Sequence, residues 1–262
     1  MPPEAPESWD GIRTFTEYGH ICPQAPMPVE NDFISNQRIA VEGEDCQNLN
    51  VWTPGINDGK KRPVMVWLHG GGFQTGSAIE QRVYDGTNLS RKGDVVVVSI
   101  NHRLNVLGFL DLSAYGNEYR YSGNAGTMDM VAALKWIHSN IAVFCGDPDN
   151  ITLFGQSGGG AKIIVLMTTP VAKGLFHKGI IQSGAVEACG MTNVITKIGR
   201  HVAELILNNL GIEKDEIKKL QTVPYRELET ASNKAMAQAA KEYGSTDSCC
   251  LLYTSPSPRD CS

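Results

Sequence analysis

Short, nearly unbroken apolar runs recur along the chain, each bounded by glycine, proline or acidic residues. Val64–Leu68 and Asp94–Ile100 are the clearest, and both are rich in valine or bulky apolar side chains. A run without polar alternation reads as a strand buried on both faces, as in a parallel sheet. Leu49–Thr53, Ile151–Phe154 and Gly179–Gln182 read as further strands. Between them the spacing changes. Thr127–Ser139 carries Met130, Val131, Leu134 and Ile137 on one helical face, and Gly159–Met167 and Ile195–Leu210 also read as helices. Glu80–Arg91 reads as loop with a short helix, and Glu213–Leu220 as a charged, solvated helical face. Pro54–Pro63, with Asn57-Asp58-Gly59, and Asp147-Pro148-Asp149-Asn150 read as turns. Residues 1–8 are proline-rich and extended, and no internal repeat is present. Strands alternating with helices predict an α/β chain with a mostly parallel sheet and crossover helices.

The strand Ile151–Phe154 runs into Gly155-Gln156-Ser157-Gly158-Gly159, ahead of the predicted helix. Strand, Gly-x-Ser-x-Gly and helix together are the signature of a nucleophile elbow, which exposes the serine hydroxyl at the top of a sheet. The helix N-terminus behind Ser157 favours developing negative charge. The strand Val64–Leu68 ends in His69-Gly70-Gly71-Gly72-Phe73. A glycine-rich strand end leaves backbone N–H groups free to stabilise an oxyanion. With the N–H of the residue after the serine, the candidate donors are Gly71, Gly72 and Gly158. A phosphate-cradling loop would carry Gly-Lys-Ser/Thr, which is absent from this segment.

Composition narrows the choices. Of the 262 residues, 42% are hydrophobic and 19% charged, which suits a globular chain with a core. A net charge of −5 argues against a nucleic-acid partner. No apolar run approaches a membrane-spanning length. There is no Cys-x-x-Cys or His-x-x-x-His spacing, so no metal site is expected. Four of the seven cysteines lie away from the C-terminal tail: Cys22, Cys46, Cys145 and Cys189. Cys145 and Cys189 read as small packed hydrophobes.

Several stretches together resemble the type-B carboxylesterase family, which holds bacterial para-nitrobenzyl-type esterases and the cholinesterases. They are Glu44–Trp52, His69–Phe73, Asn101–Leu104 with Leu107–Leu110, Gly123–Gly126 with Asp129, Ala133–Trp136, Gly146–Asn150, the elbow, and Gly174–Lys178 with Gln182–Gly184. The match runs in family order from about Pro6 to about Glu242. It implies the α/β-hydrolase fold, a small-molecule ester substrate and acyl-enzyme chemistry without a cofactor. The resemblance also implies a structural ion pair between Arg103 and Asp129. Secreted relatives close a loop with the cysteines matching Cys22 and Cys46; a disulfide and two free thiols are both open here. A non-catalytic binding protein on the same fold is the alternative, because the family contains adhesion proteins that lost the triad.

This chain departs from the family at Gln156 and Gly158, where Glu and Ala are usual. Gln156 removes a negative charge beside the nucleophile, which bears on preference for cationic substrates. Gly158 keeps its backbone N–H. His102 stands where the family has a structural Tyr and reads as packing. The catalytic order in this fold is Ser, then Asp or Glu, then His. Only His177 and His201 follow Ser157, and neither lies in a context expected of the base. From Cys250 to Asp260 the chain matches the translation of a transposase-type sequencing adapter. Residues 250–262 are therefore read as a non-native tail, and 1–249 as the N-terminal part of an esterase domain. The opening residues resemble the stretch after the family's first hairpin. The chain thus reads as a truncated, internal piece without the triad acid and histidine, expected to be inactive by itself. Cytoplasmic and secreted locations both remain open.

Overall fold

A computed structural model describes residues 1–4, 6–8, 10–25, 40–184 and 196–243. Cys189 and the adapter-like tail lie outside the described residues. Five strands form one sheet: β1 (Leu49–Trp52), β2 (Arg62–Leu68), β3 (Val96–Ile100), β4 (Gly146–Gln156) and β5 (Lys178–Gln182). Their order is β1-β3-β2-β4-β5. β1 pairs antiparallel with β3 at one edge, and the other pairings are parallel. The expected α/β-hydrolase architecture with a mostly parallel sheet is what forms.

The central strands behave as their unbroken apolar runs predict. All of β3 is buried, and Val64, Val66 and Leu68 of β2 are buried too. Their side chains pack with Met130, Leu134 and Ile137 of α3 (Ala125–Asn140) and with Ile163 and Leu166 of α4 (Gly158–Thr168). Helix α1 (Thr87–Gly93) follows a short 3-10 turn at Arg82–Tyr84, close to the expected loop and helix.

Three local expectations need correction, and two helices were not expected. The turn expected at Asp147–Asn150 lies inside β4, because Arg62 pairs with Gly146 and the register shifts before Val64. Its turn chemistry persists locally: Asp149 N donates to Asp147 Oδ1 at 3.0 Å. The turn expected to last to Pro63 stops earlier, since Arg62 already belongs to β2. The charged segment after Glu213 is a 3-10 helix, Lys214–Thr222, and it buries Ile217 and Leu220. The short helix α2 (Asn105–Phe109) and the long helix α6 (Tyr225–Tyr243) had no counterpart in the pattern reading.

Helix α6 packs on α5 (Thr196–Leu210) in a second apolar cluster that includes Val202, Ile206, Ala235 and Ala239. Val106 and Leu110 join that cluster from the α2 region. No helix among the described residues is long and apolar enough to cross a membrane. At the far edge of the sheet, every residue of β5 is exposed.

Candidate active site

Ser157 stands between the end of β4 and the start of α4, with φ 54° and ψ −122°. A positive φ is costly for a non-glycine residue, on the order of 1–3 kcal/mol. Neighbouring backbone holds it there. Ser157 N donates to Gln182 O at 2.9 Å, and Ala161 N donates to Ser157 O at 3.2 Å. Gly184 crowds the same carbonyl, since a Cβ on it would fall 2.1 Å from Ser157 O.

The surrounding glycines are required by close approach. A Cβ on Gly159 would fall 2.0 Å from Leu68 O, and one on Gly160 would fall 2.3 Å from Ser183 O. Their absence lets the ends of β2, β4 and β5 converge under the serine. Gly158 packs on the glycine loop, where its Cβ would fall 2.4 Å from Gly72 N. Gly71 and Gly72 both take positive φ, 79° and 63°. Gln74 N and Thr75 N donate back to Gly71 O at 3.2 and 3.1 Å and close the loop. The structure therefore brings Gly71, Gly72, Gly158 and Ser157 together.

Beside this loop lies a cavity of about 210 Å³, lined in part by Gln74, Thr75, Asn105, Tyr225, Ser232 and Met236. Three of those residues come from α6, which the sequence reading did not anticipate. Two of the lining residues carry a buried polar atom without a hydrogen-bond partner, Gln74 Nε2 and Ser232 Oγ.

Each of the two downstream histidines has a partner other than Ser157. His177 Nδ1 accepts from Ile151 N at 3.1 Å, six residues before the serine along an extended strand. At 3.3 Å per residue that is roughly 20 Å away. His201 Nε2 instead meets Glu242 Oε2 at 2.6 Å, linking α5 to α6. His102 is buried, as its packing assignment implied, and its ring stacks on His69 with centroids 5.3 Å apart. Burial pushes both imidazoles well below their ordinary pKa, with the Lys162 charge adding to the effect.

Arg103 and Asp129 form the expected ion pair. Arg103 Nε donates to Asp129 Oδ2 at 2.8 Å and Nη2 donates to Oδ1 at 2.6 Å. Gln47 Nε2 donates to the same carboxylate at 2.6 Å. The pair ties the loop after β3 to α3. Cys22 and Cys46 are buried beside Leu104 as free thiols, so the two sulfurs share one cluster without a bridge in this structure. Cys145 is also a buried free thiol, in keeping with a packing role.

The residue that sequence reasoning missed is Lys162. It is fully buried on α4, in a segment otherwise free of charge, Gly158–Thr168. That isolated charge among apolar residues was the available signal. Lys162 Nζ donates to His69 O at 2.9 Å, beneath the glycine loop.

A parallel sheet whose central strand turns through a strained serine into a helix, beside a glycine-rich strand end, defines an α/β-hydrolase. The comparisons give the family: residues 1–250 match the carboxylesterase family model, and the chain belongs to that family. It is 42% identical over 232 residues to the para-nitrobenzyl esterase of Bacillus subtilis (strain 168), covering 88% of this chain and 45% of that protein. It is 42% identical over 195 residues to the cocaine esterase of Homo sapiens, covering 72% of this chain and 34% of that one. A solved esterase from the anaerobe Clostridium hathewayi, described as able to hydrolyze aliphatic aromatic polyesters, superposes with a TM-score of 0.85. It is 45% identical, over 93% of this chain and 48% of its own. The chain spans less than half the length of these relatives.

Proposed function

We propose that this chain carries the nucleophile and the oxyanion hole of a serine carboxylic-ester hydrolase. The observation that carries the reading is the backbone of Ser157, held at φ 54° with Gly158 packed against Gly72. Ser157 Oγ attacks the ester carbonyl carbon. The carbonyl oxygen becomes an oxyanion that accepts from the N–H groups of Gly71, Gly72 and Gly158. The alkoxide leaves with a proton, and water then cleaves the acyl-enzyme. The substrate is a small-molecule ester, and no cofactor takes part.

A serine hydroxyl needs a base to lose its proton at neutral pH. In this reading the base is a histidine, oriented by a Glu or Asp, in family sequence beyond residues 1–249; residues 250–262 are a non-native tail. The 262-residue chain alone then hydrolyses p-nitrophenyl esters hardly faster than buffer, and ordinary turnover by it would refute the missing-base part. The close fit of the glycines around Ser157 favours catalysis over the binding-protein alternative.

Phenylboronic acid tests the nucleophile and oxyanion roles directly. Boron accepts the serine oxygen and becomes a tetrahedral anion, while the hydroxyl proton passes to buffer. The equilibrium therefore needs no resident base. Boron-11 NMR should show a tetrahedral adduct with the chain and none with Ser157→Ala. An equal adduct in both would overturn the assignment.

A further inference from the structure

Lys162 has no part in the chemistry described so far, yet its setting is specific. Its side chain has no solvent exposure. Its Nζ donates to His69 O at 2.9 Å, and His69 is the residue that leads into Gly70–Gly72. It also stands 5.8 Å from the centre of the Phe73 ring, on the other side of the glycines. The ammonium is therefore bonded to one end of the loop and lies over the ring at the other. His69 Nδ1 lies 2.9 Å from Gly70 O; a carbonyl only accepts, so this nitrogen carries a proton and cannot accept from Lys162. The neutral His69 and His102 rings leave Glu80 as the counter-charge that acts on the ammonium. Glu80 Oε2 in turn accepts from Ser77 N at 3.1 Å.

We infer that Lys162 is a positioning residue of the oxyanion site: its ammonium fixes the His69 carbonyl and sets a positive charge behind the Gly71 and Gly72 donors. The inference rests on the oxyanion role proposed above for those glycines. It assigns to α4 a second contribution beyond its N-terminus, a full charge in a dry environment where electrostatic effects are large. Burial lowers the Lys162 pKa to about 7, with Glu80 opposing the shift, so the charge is in place below neutral pH and is lost above it. Lys162 is not a replacement base. Its Nζ is turned to His69 O, and no hydrogen bond joins it to Ser157.

The phenylboronate adduct places a negative charge where the oxyanion would form, and so reads this coupling. Coupling between two sites is reciprocal. In the wild-type chain with carbon-13-labelled lysine, the Lys162 Cε titration should move to higher pH when the adduct forms. In Lys162→Met the adduct should weaken about tenfold at pH 6, less than the 10²–10³ lost with a direct oxyanion donor. The ratio of variant to wild-type dissociation constants should then fall as pH rises past 8. A purely structural role would give a ratio independent of pH. An unmoved Lys162 titration in the wild-type adduct, or a pH-independent ratio, overturns the inference while leaving the nucleophile reading intact. If the wild-type chain forms no adduct, the nucleophile reading fails and this inference falls with it.

Discussion

Replacing Gly159 by alanine sets two opposed effects against each other, and the structure decides the sign. Gly159 lies in the first turn of α4, without the positive φ that would favour glycine. Alanine is a better helix former than glycine by about 1 kcal/mol, so local propensity alone predicts stabilisation. The new Cβ, however, would lie 2.0 Å from Leu68 O, 2.9 Å from Leu68 C and 3.1 Å from His69 O. Comfortable heavy-atom contacts lie at about 3.5 Å, so the end of β2 or the start of α4 must move by more than about 1 Å. The obstructing atoms are backbone, so no rotamer change relieves them. Overpacking of this kind costs about 3 kcal/mol at the upper end of its usual range.

The net effect is a loss of about 2 kcal/mol, or about 4–8 °C in Tm for a chain of this size. Gly179→Ala is the control. A Cβ there meets only Ile163 Cγ2 at 3.1 Å, the end of a flexible side chain. Thermal denaturation followed by circular dichroism compares the two. The reasoning fails if Gly159→Ala melts at or above the wild-type temperature, because helix propensity would then have outweighed the contact with Leu68.

Two further outcomes are expected. Ile180 and Ile181 are 45% and 41% exposed on the unpaired edge of β5, and such an edge invites pairing with another chain. Ile180→Lys should lower concentration-dependent light scattering while changing stability by less than about 0.5 kcal/mol; undiminished scattering would show that β5 is not the sticky edge. Stability should also rise with pH from about 7 toward the ordinary lysine range, because burial of Lys162 lowers its folded pKa. In that window the unfolded chain binds the proton that the folded chain has released, so the slope is about 1.4 kcal/mol per pH unit at most. Urea titrations at pH 7 to 9.5 should show this rise in the wild-type chain and not in Lys162→Met. A parallel rise in the variant would assign it to another group.

What was legible in the sequence follows from how local each signal is. Val64–Leu68 and Val95–Ile100 announce themselves because a central parallel strand has no polar face. The strand–turn–helix at Ser157 and the tight loop at Gly71 and Gly72 were legible because such geometry requires particular residues at fixed spacing. Helix α6 was not found, because it is stabilised by its partner. Its buried positions include Ala231, Ser232, Ala235, Ala239 and Ala240, small residues that pack on α5 without forming a conspicuous apolar stripe. The Asp147–Asn150 turn was placed correctly as local chemistry but lies within β4, since pairing with Arg62 overrides it. Lys162 was passed over because a single lysine in a helix usually reaches solvent. Only the tertiary contact with His69 shows that this one does not.

Ser157, held at positive φ, depends on backbone from the least protected strand. Ser157 N is held by Gln182 O, Gly184 lies against Ser157 O, and Gly160 fits under Ser183 O. β2 and β3 are fixed by the buried core, and their support for the glycine loop is independent of the sheet edge. The support on the β5 side is different, because among the described residues that strand is paired on one flank only, and it is exposed throughout. A strained φ persists only while its surroundings over-determine it. Loss of β5 would relax Ser157 before it disturbed Gly71 or Gly72. A partner on the β5 edge would therefore act on Ser157 more than on Gly71 or Gly72.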